Sequence, residues 1–202
     1  LQPDIIFSIN NFQLMKDEII SIPPLGVINF HNGPLPKYAG LNVCSWAIIN
    51  GEREHGVTWH YVDRGVDNGN IIAQKMFPIG EHENALQLIM KCIKEGIVLF
   101  SEILPVVMRQ RVQGTQQDIS QRTVYKKNEV PNNGKVSFQW DGKKVCDFIR
   151  GLNFDPIENS FVRPHALLNN KKIYVDHVEI SNKVPAEKNC GMVIAVDAAK
   201  II

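Results

Sequence analysis

An excess of charge of either sign is missing from this chain: over 202 residues, 22 Lys and Arg stand against 21 Asp and Glu, a net charge of +1. The cations are dispersed and form no basic patch of the kind that phosphate-backbone binding requires, so charge gives no case for a nucleic acid, transfer RNA included. Long hydrophobic runs are also absent. No stretch approaches the roughly 20 apolar residues of a membrane span, and no basic segment leads into an apolar one at the start. The sequence therefore reads as cytoplasmic and without a membrane partner. Cysteine is sparse: Cys44, Cys92, Cys146 and Cys190 lie far apart. They lack the paired spacing of a zinc site and the density of a secreted disulfide scaffold, none stands in a motif with a base, and they read as buried thiols. There is no internal repeat or low-complexity tract.

What is present is an alternation of β-rich and helical segments. Asp4 to Ile9 and Gly26 to Phe30 are short apolar β-forming runs, with a helix-like stretch from about Gln13 to Ser21 between them, which predicts a strand-helix-strand unit of a parallel sheet. Pro34 and Pro36 stop the second strand, and Leu41 to Asn50 reads as a short helix. Gly56 to Val62 and Asn70 to Phe77 predict a hairpin with Asp67 in its loop. Glu83 to about Arg109 carries Leu86, Ile89, Ile93, Ile97, Phe100, Leu104 and Val107 at helical spacing, a long amphipathic helix over the sheet. Gln110 to Gln121 is polar and reads as an exposed connector. Beyond it, Val136 to Trp140, Ile173 to Ile180 and Met192 to Val196 read as strands, Asp141-Gly142 as a turn and Lys144 to Leu152 as a short helix.

Asn29-Phe30-His31 and Asp67 carry the chemistry. Residues two apart on a strand share a face, so Asn29 and His31 project together with Phe30 turned away. An amide N–H from Asn29, and either ring N–H of His31, suit an oxyanion that develops in acyl transfer. Asp67 suits either orientation of His31 or acceptance of a proton from an attacking amine; the sequence leaves both roles open. His31, His55, His60 and Asp67 match no compact zinc pattern, and no metal is expected there. His55 reads as a loop residue and His60 as an exposed strand residue. Trp46 and Trp59 read as core aromatics, with Trp59 placed so that it could instead line an acceptor site.

The strings Asn29-Phe30-His31-Asn32-Gly33-Pro34-Leu35-Pro36-Lys37-Tyr38-Ala39-Gly40, Gly56-Val57-Thr58 and Asp63-Arg64-Gly65-Val66-Asp67-Asn68-Gly69 resemble the folate-dependent formyltransferase family. Its members write Asn-x-His-x-x-x-Leu-Pro-x-x-x-Gly and then Gly-Val-Thr…Asp-x-Gly-(Leu/Val)-Asp-Thr-Gly. The resemblance implies an α/β, Rossmann-like formyltransferase fold, partial because the family's N-terminal strands precede Asp4. It implies a catalytic portion over residues 1–120, then a linker helix containing Phe148 to Leu152 and the start of a small β-rich C-terminal subdomain over 121–202, opening near Gly191-Met192-Val193. The implied catalytic residues are Asn29, His31 and Asp67. The implied donor is 10-formyltetrahydrofolate, with its pterin held largely by backbone in the loops Asn10, Asn11, Phe12, Gln13, Leu14, Met15 and Tyr61, Val62, Asp63, Gly65, Val66.

His31 is followed by Asn32-Gly33-Pro34, where transfer RNA formyltransferases and folate dehydrogenases usually carry Pro-Ser-Leu or Gly-Ser-Leu. Together with Trp46-Ala47-Ile48 and His55 to His60, this most resembles formyltransferase domains of nonribosomal peptide synthetases. An aminoacyl group on a peptidyl-carrier domain is then the expected acceptor. Its pocket should be bounded by Trp46 or Trp59 and lack clustered cations, since Lys37, Arg53 and Arg64 are the only ones near the motifs. A sugar nucleotide, a methionyl transfer RNA, or water in a formyltetrahydrofolate hydrolase are the enzymatic alternatives, and a folate-binding or carrier-docking module the non-enzymatic one.

Overall fold

β-branched and aromatic runs set the sheet that carries the site. In the computed structural model, which describes residues 2–159 and 161–180, strands β1 (Ile6–Ser8), β2 (Val27–His31), β4 (Glu54–Tyr61) and β5 (Ile71–Pro78) lie side by side in that order. Between β2 and β4 come β3 (Ala39–Gly40) and helix α2 (Val43–Ile49). Within this sheet β1 and β2 are parallel, and β4 runs antiparallel to both β2 and β5. Asn29 and His31 lie towards the carboxyl end of β2, beside the parallel strand β1. The connection from β2 to β4 passes through β3 and α2, and Asp67, in the loop after β4, comes back to within 3.5 Å of His31 Nδ1. Helix α1 (Asp17–Ile20) is a single turn rather than Gln13 to Ser21.

Register explains which residues share a face. Asn29 stands opposite His60, and Phe30 opposite Trp59. Phe30 and Trp59 rings meet at 5.0 Å, and Trp59 stacks on Phe100 at 4.8 Å, so this face is the core and the other carries polar groups. Helix α3 (Ala85–Val107) covers the apolar face, its first turn held by a capping box in which the Asn84 side chain accepts from Gln87 N–H and the Gln87 side chain accepts from Asn84 N–H. Its buried stripe is Ala85, Leu88, Cys92, Gly96 and Leu99. Ile93 and Ile97, expected in that stripe, are 39% and 62% exposed. Small side chains let the helix lie close to the sheet, and the large aliphatics rotate to its flank, a displacement that hydropathy does not register because it discounts Ala and Gly.

The later chain packs back onto this layer. Strand β6 (Val124–Tyr125) pairs parallel with β3, and α4 (Gly142–Gly151), capped by the Asp141 side chain on Lys144 N–H, rests on α2. Phe148, Ile149, Leu152 and Val136 form a second buried cluster. Val136 to Trp140 is not a strand: Lys135 makes an isolated bridge to His165, and Trp140 N–H closes a turn on the Ser137 carbonyl. Strands β7 (His165–Leu168) and β8 (Lys171–Tyr174) form a hairpin, so the expected Ile173 to Ile180 strand ends earlier. The expected strand at Met192 to Val196 lies outside the described residues. Among the described residues no helix is long and apolar enough to cross a membrane.

Candidate active site

The polar face of β2 and β4 forms the floor of a cavity of about 860 Å3, lined by Asn29, His31, His60 and Asp67. Asn10 to Met15, Val62, Asp63, Gly65 and Val66 line it as well. Tyr61 does not: its hydroxyl donates to the Val112 carbonyl, and the Arg111 guanidinium lies over its ring. Register puts the Tyr61 side chain on the core face with Trp59's neighbours. Asp63 is engaged within its own loop, accepting from Gly65 N–H at 2.9 Å and from the Asn68 amide at 3.3 Å.

Buried partners set the protons. His60 is 2% exposed, contrary to its reading as an exposed strand residue. Its Nδ1 lies 2.8 Å from the Tyr61 carbonyl and so donates there, which leaves Nε2 to accept from the Asn29 amide at 3.1 Å. One amide hydrogen of Asn29 is thereby committed and the other is left for a ligand oxygen. His31 Nε2 donates to the Tyr38 carbonyl at 2.5 Å. Its Nδ1, 3.5 Å from Asp67 Oδ2, then carries the lone pair. Both ring nitrogens of His31 thus face partners, the Tyr38 carbonyl and the Asp67 carboxylate.

Asp67 holds a left-handed backbone with φ +46°, a conformation that Asp tolerates better than most residues. Its Oδ2 accepts from Gly40 N–H at 2.8 Å, and Oδ1 lies 3.5 Å from His60 Nε2. Burial pushes the carboxyl up, but His31, His60 and the Gly40 N–H together outweigh burial and hold it at about 2. Burial pushes His31 below 6.5 despite the Asp67 charge. Near neutrality the pair is therefore a neutral imidazole beside a carboxylate. Both groups weaken the fold on acidification. Asp67's contribution, about 2 kcal/mol, is full above about pH 4 and is lost towards pH 2, while His31 is charged more readily in the unfolded chain once pH falls below 6.5. Denaturant midpoints recorded against pH should fall through this range, and less steeply in Asp67→Asn; parallel curves would remove Asp67 as the source.

The stretch read as an exposed connector secures this loop. Gln117 is 7% exposed and donates to the Asp67 carbonyl at 3.0 Å and the Gly69 carbonyl at 2.7 Å, while Thr115 pairs with Ile71 and Arg122 donates to the Val66 carbonyl. Nothing in a glutamine-rich run marks one glutamine as buried. Gly33 is needed for close approach: a Cβ there would lie 2.6 Å from the Tyr38 carbonyl oxygen and 2.8 Å from His31 Nε2. Gly33→Ala should displace the ring and cost roughly tenfold in kcat with substrate binding retained; wild-type kcat would show that the ring is not held by this contact.

Tyr125, Lys126 and Lys127 also line the cavity. Tyr125 stacks between Trp46 at 4.9 Å and Tyr38 at 5.5 Å. Trp59 lines the cavity whereas Trp46 is not among its lining residues, and the expectation of a pocket free of clustered lysines is corrected by the pair on β6's far end, brought in by the β3–β6 ladder.

A formyl transferase family model matches residues 1–104. The chain is 30% identical over 167 residues to methionyl-tRNA formyltransferase of Pelobacter propionicus, covering 83% of this chain and 52% of that one. It is likewise 30% identical over 154 residues to the bifunctional polymyxin resistance protein ArnA of Wigglesworthia glossinidia brevipalpis, covering 75% and 23%. The chain thus spans about half and about a quarter of these curated relatives. A crystal structure of an N-formyltransferase from Helicobacter canadensis, in complex with folinic acid and dTDP-3-aminofucose, superposes with a TM-score of 0.69 at 27% identity, covering 83% of this chain and 59% of that one.

Proposed function

The chain belongs to the formyl transferase family, and from that premise we propose that it transfers the formyl group of 10-formyltetrahydrofolate to a primary amine. The observation that carries this reading is the joint opening of Asn29, His31 and Asp67 into one cavity with the Asn10 to Met15 loop. In the proposed reaction the amine attacks the formyl carbon, and the carbonyl oxygen takes up negative charge facing the uncommitted Asn29 N–H. The carboxylate of Asp67 and His31 Nδ1 draw in the amine and accept its proton. Collapse of the tetrahedral intermediate expels tetrahydrofolate nitrogen, which regains a proton from the same pair. A cytoplasmic setting is part of this reading.

The proposed acceptor is an amino sugar carried on a nucleoside diphosphate. Two adjacent lysines in the lining, Lys126 and Lys127, support a ligand with phosphates. The dTDP-linked sugar in the Helicobacter canadensis complex supports the same class. An aminoacyl thioester on a carrier domain is the second reading, favoured by the apolar flank of Trp59, Ile93 and Ile97. The test is a side-by-side assay of tetrahydrofolate release with an amino-sugar nucleotide, an aminoacyl thioester, methionyl transfer RNA and no acceptor. Preference for the sugar nucleotide is expected. Preference for the thioester or the transfer RNA would overturn the acceptor, equal release without acceptor would mark a hydrolase, and folate binding without release a non-catalytic module.

A further inference from the structure

A buried cluster that the proposed chemistry does not use lies beneath the β2–β3 corner. Cys44 stands in the first turn of α2, His55 on β4 and Cys92 on α3, and they are 3%, 0% and 0% exposed. His55 is thus an interior strand residue rather than a loop residue. The two sulfurs are 3.7 Å apart, Cys44 Sγ is 3.6 Å from His55 Nε2, and the ligand atoms of all three residues lie within 4.8 Å of one another. The Asn32 carbonyl oxygen closes the group, at 2.7 Å from His55 Nε2, 3.6 Å from Cys44 Sγ and 3.9 Å from Cys92 Sγ.

We propose that Cys44, Cys92 and His55, with the Asn32 carbonyl at the fourth corner, form a metal site for one borderline-soft divalent cation of the zinc class. Ligands about 2.3 Å (sulfur) and 2.0 Å (nitrogen) from a tetrahedral zinc stand about 3.8 Å sulfur to sulfur and about 3.6 Å sulfur to nitrogen, close to the 3.7 Å and 3.6 Å here, while the Asn32 carbonyl, 2.7 Å from His55 Nε2, must draw back to the roughly 3.3 Å that two ligands on one ion require. Thiolate and imidazole donors select zinc over the hard oxygen-seeking cations. Two thiolates cancel a double positive charge, so the loaded cluster is neutral and suits a dry interior. Binding displaces the thiol protons to solvent and moves the His55 ring proton from Nε2 to Nδ1, a buried atom with no partner among the described residues. Cys44 also lines the large cavity, which gives an ion its way in.

A site closed by four protein ligands has no open position for a substrate, so its role is structural. Asn32 directly follows His31, and a cation bound to its carbonyl would fix the end of β2.

The test uses the full chain, stripped with a chelator, kept reduced, and titrated with cobalt(II) and then zinc(II). One cobalt per chain, with a thiolate-to-cobalt charge-transfer band and the intense visible bands of a tetrahedral centre, is expected, and zinc should displace it and raise the thermal midpoint. Cys92→Ser and His55→Gln should each weaken cobalt binding by about 100-fold or more while Cys146→Ser does not. X-ray absorption at the zinc edge of the unmutated protein should count two sulfurs whether or not the variants fold. Absence of the bands, fewer than two sulfurs, or bands that persist in both folded variants would overturn the site and leave a hydrogen-bonded thiol pair. Neither outcome bears on formyl transfer, which is assayed separately.

Discussion

Asp67→Asn is expected to reduce formyl transfer by about 10² to 10⁴-fold while leaving the fold intact. Asn is the substitution that isolates the charge. Its side chain keeps an oxygen for the Gly40 N–H, and it accepts the left-handed backbone at φ +46°, where Ala would add strain of its own. What disappears is the carboxylate charge beside His31 Nδ1, and with it the attraction for an approaching amine and its proton. Single-turnover transfer from 10-formyltetrahydrofolate measures the effect, and folate binding by fluorescence should change little. Unchanged turnover would exclude Asp67 from the proposed reaction.

Asn29→Ala should cost about 10² to 10³-fold, chiefly in kcat, because the lost amide donor serves the oxyanion more than the ground-state carbonyl. His60 supplies a control. Its Nε2 accepts from Asn29 and would lose that partner, yet its Nδ1 stays donated to the Tyr61 carbonyl, so the ring should not turn. A loss confined to KM would assign Asn29 to substrate binding and not to the transition state.

The strands and their facing were legible because period-two alternation and β-branched composition are local. Asn29 and His31 on one face and Phe30 on the other follow from chain geometry alone. Helix α3 was legible as a helix but not in its rotation, since Cys92 and Gly96 sit on the buried stripe for their smallness. The direction of β4 could not be read, because a hairpin and a crossover serve the same alternating pattern. His60, Gln117 and the lysines after β6 reach the site only through tertiary pairing. The Cys44–His55–Cys92 cluster is hidden for the same reason: its members are spaced irregularly along the chain and meet only where three elements cross.

The ties that hold the Asp67 loop have a consequence for the order of folding. The Gly40 amide is 27 positions from Asp67, and Gln117 is 50 and 48 positions from the two carbonyls it holds. Contacts this distant along the chain carry a loop-closure cost before they return any stability, so they form after the local β4–β5 ladder. In refolding from denaturant, amide-hydrogen protection in β4 and β5 should therefore appear ahead of catalytic competence, with a lag that lengthens in Gln117→Ala. The Asp67 carboxylate would be among the last parts of the molecule to fall into place, and a nascent or partly folded chain would carry its sheet before its cavity is complete.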